Sequence, residues 1–137
     1  MRQEQTLKAI AKADRFNQWM FETISPHCQG KILEIGSGIG NISNFFLEKK
    51  KDIVLSDIRA NYCDYLEHKF HLKNEQLLSI DLTDPDLSLK FGSHLNTFDT
   101  VFALNVVEHI KDDELAIANC KRFLKPGRYI DNSRSGI

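Results

Sequence analysis

Residues 31–41, KILEIGSGIGN, constrain the fold more than any other stretch of the chain. The apolar, β-branched start predicts a buried strand. The glycines that follow at every second position, Gly36, Gly38 and Gly40, predict a tight turn, and residues 42–49 have the pattern of a helix. This order of elements presents backbone N–H groups and a helix N-terminus to an anionic ligand group. A tight turn without a ligand is the alternative.

The spacing of the glycines distinguishes between two classes of nucleotide site. A dinucleotide fingerprint has the pattern G-x-G-x-x-G/A. Counted from Gly36 its last position falls on Asn41, and counted from Gly38 it falls on Ser43. The stretch fits E-x-G-x-G-x-G better, with Glu34 two residues before the first glycine. A carboxylate at the end of a buried strand needs a cation or a hydrogen-bond donor beside it.

Composition predicts one domain and excludes several classes of partner. The chain has 137 residues and a net charge of −1, so no strong field is expected for a nucleic-acid backbone. No apolar stretch is long enough to predict a membrane span. The three cysteines are odd in number and far apart, which favours reduced thiols and a cytoplasmic location over a zinc site or disulfides.

The hydrophobic pattern predicts an α/β fold with a doubly wound, mostly parallel sheet. After the glycine turn, two predicted strands end in an acid, Asp57 and Asp81. Because the carboxyl ends of parallel strands share one edge of a sheet, we expect these acids near the glycines. The predicted strands span residues 31–35, 52–57, 76–81 and 98–104, and the other predicted helices span residues 6–24, 61–70 and 112–124.

Two of these stretches resemble one family. Residues 33–41, LEIGSGIGN, resemble the first motif of the class I S-adenosylmethionine-dependent methyltransferases, and residues 105–110, NVVEHI, resemble the segment after that family's fourth strand. The resemblance implies a Rossmann-like fold, S-adenosylmethionine as cofactor, S-adenosylhomocysteine as product, and methyl transfer. The cofactor-binding residues that it implies are Glu34, Gly36, Ser37, Gly38, Gly40, Asn41, Asp57, Ile58, Asp81, Leu82 and Asn105.

The resemblance also implies individual roles. Asp57 would accept the ribose hydroxyls, and an N-terminal cap for the next helix is its alternative role. Asp81 would accept the adenine amine while the N–H of Leu82 reaches the ring, and a turn-forming role for Asp81 is the alternative. Asn105 would offer its backbone carbonyl to the methionyl amine. His109 borders the implied acceptor pocket and is a candidate general base, although many members of the family need none.

The remaining predictions concern the two ends of the chain. Residues 1–30 are expected to supply an N-terminal helix that covers the cofactor site, residues 31–130 the cofactor-binding domain, and residues 131–137 a polar tail. Phe16 and Trp19 are predicted neighbours on that helix. They either line the site or belong to the core.

After residues 124–127, LKPG, the resemblance to the family fails. The fifth strand is reduced to two apolar residues, so we expect a domain that is truncated, lacks the C-terminal strands and leaves its fourth strand open. A homodimer through that open edge is one expected consequence.

The predicted acceptor is a small molecule or a lipid- or sugar-linked metabolite, with no metal and no nucleic acid. A cofactor-binding fragment without turnover is the first alternative. An NAD-type oxidoreductase is the second, and Asn41 argues against it.

Overall fold

A computed structural model describes residues 2–104 and 113–131, and the side chains of residues 6–104 and 114–127. The helices are α1 Arg2–Ile24, α2 Ser43–Glu48, α3 Ala60–Phe70, α4 Leu87–Phe91 and α5 Asp113–Phe123. The strands are β1 Ile32–Ile35, β2 Ile53–Ser56, β3 Leu77–Leu78, β4 Phe98–Ala103 and β5 Leu124–Asp131. Short 3-10 helices span Ser25–His27, Asn74–Gln76 and Gly92–His94. Among the residues that the structure describes, no helix is both long and apolar enough to cross a membrane.

The described strands form one parallel sheet in the order β3-β2-β1-β4-β5. β1 is central, and Ile32 pairs with Ile53 of β2 on one side and with Thr100 of β4 on the other. The chain therefore builds the sheet outward from β1 in one direction, then returns and builds in the other. This reversal makes the gap between β1 and β4 the place where doubly wound sheets bind ligands. The predicted fold class is confirmed.

Both faces of the sheet are covered, which explains why every residue of β1 is buried. Leu33 and Ile35 belong to the core on the α4 and α5 side. Ile32 belongs to the opposite core, between the sheet and helices α1 to α3. Aromatic rings fill much of that second core, and the centroid of Phe46 lies 4.8 Å from that of Phe21. Glu34 lies between Leu33 and Ile35 in this strand, and because both faces of the sheet are covered, its carboxyl group is buried as well.

Helix α1 packs against the domain through its C-terminal end. The Phe21 ring stacks on Phe45 of α2 at 5.2 Å, and Ile24 is fully buried. Phe16 and Trp19 are neighbours, with ring centroids 5.9 Å apart, but they are 53% and 57% exposed. Their assignment to the core is therefore wrong. Helical spacing shows which side chains share a face, but it does not show whether another element covers that face.

The expectation that β4 would be left open is also wrong. β5 pairs with β4 in parallel, with Thr100 opposite Tyr129 and Val101 opposite Ile130. The register shifts between Phe98 and Thr100, which lets the strand include Pro126 and Gly127 before regular pairing resumes. The apolar pattern did not predict this strand because several of its residues are polar. A strand at the edge of the described sheet can pair through its backbone without apolar side chains. The homodimer predicted through an open β4 edge loses its basis.

Candidate functional site

The carboxyl edge of the sheet brings together the turn of residues 36–40 and Asp57, as predicted. The backbone N–H of Gly38 donates a hydrogen bond to Oδ2 of Asp57 at 2.9 Å. The backbone N–H of Ser37 donates to the carbonyl of Ser56 at 2.7 Å, which holds the turn beside the end of β2. The segment after β3, with Asp81, follows the next strand along the same edge. The first two strand ends are thus joined by direct hydrogen bonds.

Two glycines of the turn are required for different reasons. Gly38 has a φ of +61°, and no atom of the described residues, apart from Gly38 and its two chain neighbours, lies within 4 Å of where its Cβ would be. It leaves room for a ligand against the backbone. Gly40 has a φ of +82°, and a Cβ there would lie 2.5 Å from Cε2 of Phe70. Gly40 therefore allows the turn to approach helix α3, and this packing explains it without a ligand.

Glu34 lies under the turn and is 3% exposed. The hydroxyl of Ser43, at the start of α2, donates a hydrogen bond to Oε1 of Glu34. Burial raises the pKa of Glu34 above its usual value, and the hydroxyls of Ser43 and Ser37 offset this only in part. The required donor is thus a neutral hydroxyl and not a cation. Glu34 holds the first turn of α2 against the end of β1.

Serines join β1 to β2 below the turn. The hydroxyl of Ser56 donates to the carbonyl of Glu34 at 2.6 Å, and the N–H of Ser56 donates to Oγ of Ser37 at 3.1 Å. Ser43 and Ser56 are fully buried. Neither serine was predicted from the sequence to have a role in the site. Their positions in the sequence could have indicated this role, because each of these two small polar residues lies near a predicted strand end among apolar residues.

Asp57 has the opposite environment to Glu34 although it is also buried, at 1% exposure. Burial would raise the pKa of Asp57, but hydrogen bonds from Arg59 and from the N–H of Gly38 outweigh burial and hold the pKa below its usual value. The Arg59 Nε lies 2.9 Å from Oδ1. Asp57 is therefore an ionised acceptor at the edge of the sheet. Arg59, two residues after the acid, was not predicted from the sequence to belong to the site.

The alternative role of Asp57, as the N-terminal cap of α3, is wrong. Arg59 occupies the N-cap position, and no side chain caps this helix. Oδ1 of Asp57 accepts the backbone N–H of Arg59 at 3.0 Å, within the turn that precedes the helix. Ile58 is 58% exposed beside this carboxylate, and Asn41 is exposed at the end of the glycine turn. An exposed isoleucine at this edge offers an apolar surface next to a polar acceptor.

The segment after β3 is held by a turn and by a residue from α5. Oδ1 of Asp81 accepts the N–H of Thr83 at 2.9 Å and its hydroxyl at 2.6 Å, which is the turn-forming arrangement. Asn119 is 3% exposed and donates its side-chain amide to the carbonyl of Leu82 at 2.6 Å. The same amide donates to the carbonyl of Asp84 at 3.3 Å. Asn119 thus fixes the backbone beside Asp81, a role that only tertiary structure reveals.

The sequence profile of the methyltransferase domain family matches residues 33–129. This match covers most of the chain and includes the glycine turn, Asp57 and Asp81. The chain belongs to the methyltransferase domain family. The resemblance to class I S-adenosylmethionine-dependent methyltransferases is confirmed, and S-adenosylmethionine is the cofactor of this family.

Two curated relatives show how this methyltransferase domain relates to longer proteins. Ribosomal RNA small subunit methyltransferase A of Mesomycoplasma hyopneumoniae is 38% identical over 60 residues, covering 44% of this chain. Phosphoethanolamine N-methyltransferase 1 of Arabidopsis thaliana is 28% identical over 112 residues, covering 79% of this chain. The matched parts are 23% and 22% of those two proteins, so the chain spans about a quarter of their length or less.

Solved structures support the same fold. The trans-methyltransferase CalH, in a complex with S-adenosylhomocysteine, superimposes with a TM-score of 0.65. The match covers 88% of this chain and 38% of CalH, at 18% identity. At that identity the likeness establishes the fold of the methyltransferase domain and nothing finer.

Two predicted site residues of the methyltransferase domain, Asn105 and His109, lie outside the described residues. Their predicted roles, at the methionyl amine and as a candidate base, stay predictions. Within residues 2–104 and 113–131, no group of three or more His, Cys, Asp and Glu side chains is placed to hold a metal ion.

A cavity of about 730 Å³ lies at the other end of the sheet from the glycine turn. Its lining residues precede or begin the strands: Pro26, His27, Gln29, Gly30, Asp99, Thr100 and Gly127. Parallel α/β sheets bind their ligands at the carboxyl ends of the strands. The cavity at the amino ends is therefore separate from the site built around Asp57.

Proposed function

We propose that this domain binds S-adenosylmethionine at the carboxyl edge of its sheet and transfers the methyl group to an acceptor. The observation that carries the proposal is the buried, ionised Asp57 tied to Gly38 of the glycine turn at 2.9 Å. An ionised carboxylate is a strong acceptor for hydroxyl donors, and charge-assisted bonds of this kind are about twice as strong as neutral ones. A nucleoside ribose offers two such donors.

The residues present fit the cofactor. The open space at Gly38 leaves the turn accessible, and the adjacent Ile58 offers an exposed apolar side chain to a ring. Asp57 would hold the ribose, and Asp81 with the N–H of Leu82 would hold the adenine. Gly36, Ser37, Gly40 and Asn41 would shape the turn, Glu34 would support it from below, and Asn105 would meet the methionyl amine.

The cofactor supplies a methyl group already activated by a positively charged sulfur. The work left to the chain is therefore to position the two reactants and exclude water. Residues 31–130 carry this binding function in the proposal, and the helix in residues 1–30 covers the site. His109 remains the candidate base for an acceptor hydroxyl.

For the acceptor we propose a small molecule, free or linked to a lipid or sugar. The net charge of −1 gives little support for binding a nucleic-acid backbone. One relative that matches over 79% of this chain is named a phosphoethanolamine N-methyltransferase, and phosphoethanolamine is a small molecule. The relative named for ribosomal RNA matches over a shorter stretch, 60 residues.

A second candidate is a domain that binds the cofactor without turnover. The specific observation in its favour is the length of the chain, which spans 23% and 22% of the two relatives. Parts of those proteins outside the match would then be needed to bind the acceptor.

Calorimetric titration of S-adenosylhomocysteine into the purified chain tests the proposal, with NAD titrated in parallel. We expect saturable binding of S-adenosylhomocysteine and none of NAD. Transfer of a labelled methyl group to phosphoethanolamine and to other small hydroxyl and amine acceptors then separates the two candidates. Binding with no transfer to any acceptor favours the domain without turnover, and preference for NAD contradicts both.

A further inference from the structure

The Asp57 carboxylate accepts four hydrogen bonds from the described residues, two on each oxygen. Oδ1 accepts the backbone N–H of Arg59 at 3.0 Å and its Nε–H at 2.9 Å. Oδ2 accepts the N–H of Gly38 at 2.9 Å and Nη2–H of Arg59 at 3.1 Å. A carboxylate has about four lone-pair positions, so Asp57 has no acceptor position left for a further donor.

The four donors are of two kinds. The N–H groups of Gly38 and Arg59 belong to the backbone of the glycine turn and of the start of α3, and they are fixed by the fold. The other two donors are both on the Arg59 side chain, which is 53% exposed while Asp57 is 1% exposed. An exposed arginine side chain can leave by rotating about its own bonds without moving the backbone.

Departure of the Arg59 side chain would free one acceptor position on each oxygen of Asp57. Two adjacent ribose hydroxyls need that same arrangement, one acceptor position for each hydroxyl. We infer that Arg59 is a reversible occupant of the ribose positions of Asp57, and that cofactor binding must displace its guanidinium. This inference rests on the proposed function.

The surroundings of Arg59 give the displaced side chain a place to remain. Its guanidinium carbon lies 3.8 Å from the centroid of the Tyr62 ring, one turn into α3. A guanidinium on an aromatic face is stabilised by the ring. Arg59 therefore keeps one partner when it releases Asp57, so displacement is compatible with binding and lowers the affinity without preventing it.

The test compares Arg59→Met with the unchanged chain in calorimetric titrations at pH 8, far above the usual pKa of 3.8 for an aspartate. In the variant, the guanidinium of Arg59 no longer competes with the ribose hydroxyls for the Asp57 carboxylate. Because the lost ion pair is partly exposed, we expect S-adenosylhomocysteine to bind about fivefold more tightly to the variant. The 2′-deoxy analogue of S-adenosylhomocysteine, which offers one hydroxyl, should gain less. Arg122→Met is the matched control, since Arg122 lies on α5 and contacts Ser88. Its affinity should be unchanged.

The possible outcomes separate this inference from the proposed function. If the unchanged chain binds S-adenosylhomocysteine and Arg59→Met binds it equally or more weakly, the inference is overturned and the cofactor site stands. If neither protein binds, both are overturned. Circular dichroism checks that the variant is folded. If Arg59→Met is not folded, Arg59→Gln takes its place, since glutamine is also uncharged and shorter than arginine. The same direction of change is expected.

Discussion

Two neighbouring strands, β1 and β2, each end in a buried acid, and the two acids are held in opposite ways. Glu34 at the end of β1 meets neutral hydroxyls, and burial raises its pKa. Asp57 after β2 meets a guanidinium and backbone N–H groups, and despite its burial its pKa is lowered. The comparison shows that burial alone does not determine the charge of a carboxyl group. The donors around each acid make Glu34 a support for the turn and Asp57 an ionised acceptor at the edge of the sheet.

The largest expected effect is on stability, at Glu34. We expect Glu34→Ala to lower the free energy of unfolding by about 4 kcal/mol, because it leaves a cavity and removes the acceptor of the buried Ser43 hydroxyl. Urea unfolding followed by circular dichroism measures this. Glu34→Gln is the control, and a loss under about 1 kcal/mol is expected because its amide oxygen still accepts from Ser43. Equal losses in the two variants would mean that the support depends on charge.

The next effect is on binding, at Asp57. We expect Asp57→Ala to weaken the binding of S-adenosylhomocysteine about 100-fold, because two charge-assisted hydrogen bonds to the ribose are lost. Titration calorimetry measures the change. Asp52→Ala is a matched control, since Asp52 is an exposed acid directly before the same strand. An equal loss in both variants would point to a general effect of charge and would remove the distinction between Asp57 and other acids.

In the glycine turn between the two acids, we expect one glycine, Gly40, to matter mainly for stability and another, Gly38, to matter mainly for binding. We expect Gly40→Ala to lower the free energy of unfolding by about 2 kcal/mol, because the new Cβ meets Phe70 and the backbone has a positive φ. Gly38→Ala meets no described atom and should lose about 1 kcal/mol from backbone strain alone. Its main effect should be weaker binding of S-adenosylhomocysteine. Thermal unfolding and titration of both variants would show whether the two effects divide in this way.

The sequence predicted these strand ends better than it predicted what surrounds them. The glycine turn and Asp57 have strong local signals, because a backbone with positive φ needs glycine and a strand is easily recognised by its apolar residues. Arg59 and Asn119 were missed, since their partners depend on side-chain conformations and on packing across the domain. Phe16 was wrongly considered for the core because periodicity does not reveal an uncovered face. The length of β5 was predicted to be only two residues, because the prediction counted apolar residues and an edge strand can contain polar ones.

The smallest expected effect is on the dependence of stability on pH, and here the two acids should act in opposite directions. The pKa of Asp57 is lowered from its usual 3.8, so its contribution is fully present above that pH and is lost as the pH falls through the folded-state pKa. The pKa of Glu34 is raised from its usual 4.5, so its contribution is fully present below that pH and is lost as the pH rises through the folded-state pKa.

Urea unfolding from pH 2.5 to pH 8 measures both slopes. Asp57→Asn should flatten the loss of stability below pH 3.8, and Glu34→Gln should flatten the loss above pH 4.5. Each variant thus serves as the control for the other, because each should leave the opposite slope unchanged. If Glu34→Gln flattened the acid side instead, Glu34 would be ionised in the folded protein. The difference between the two strand ends would then lie in their partners and not in their charge.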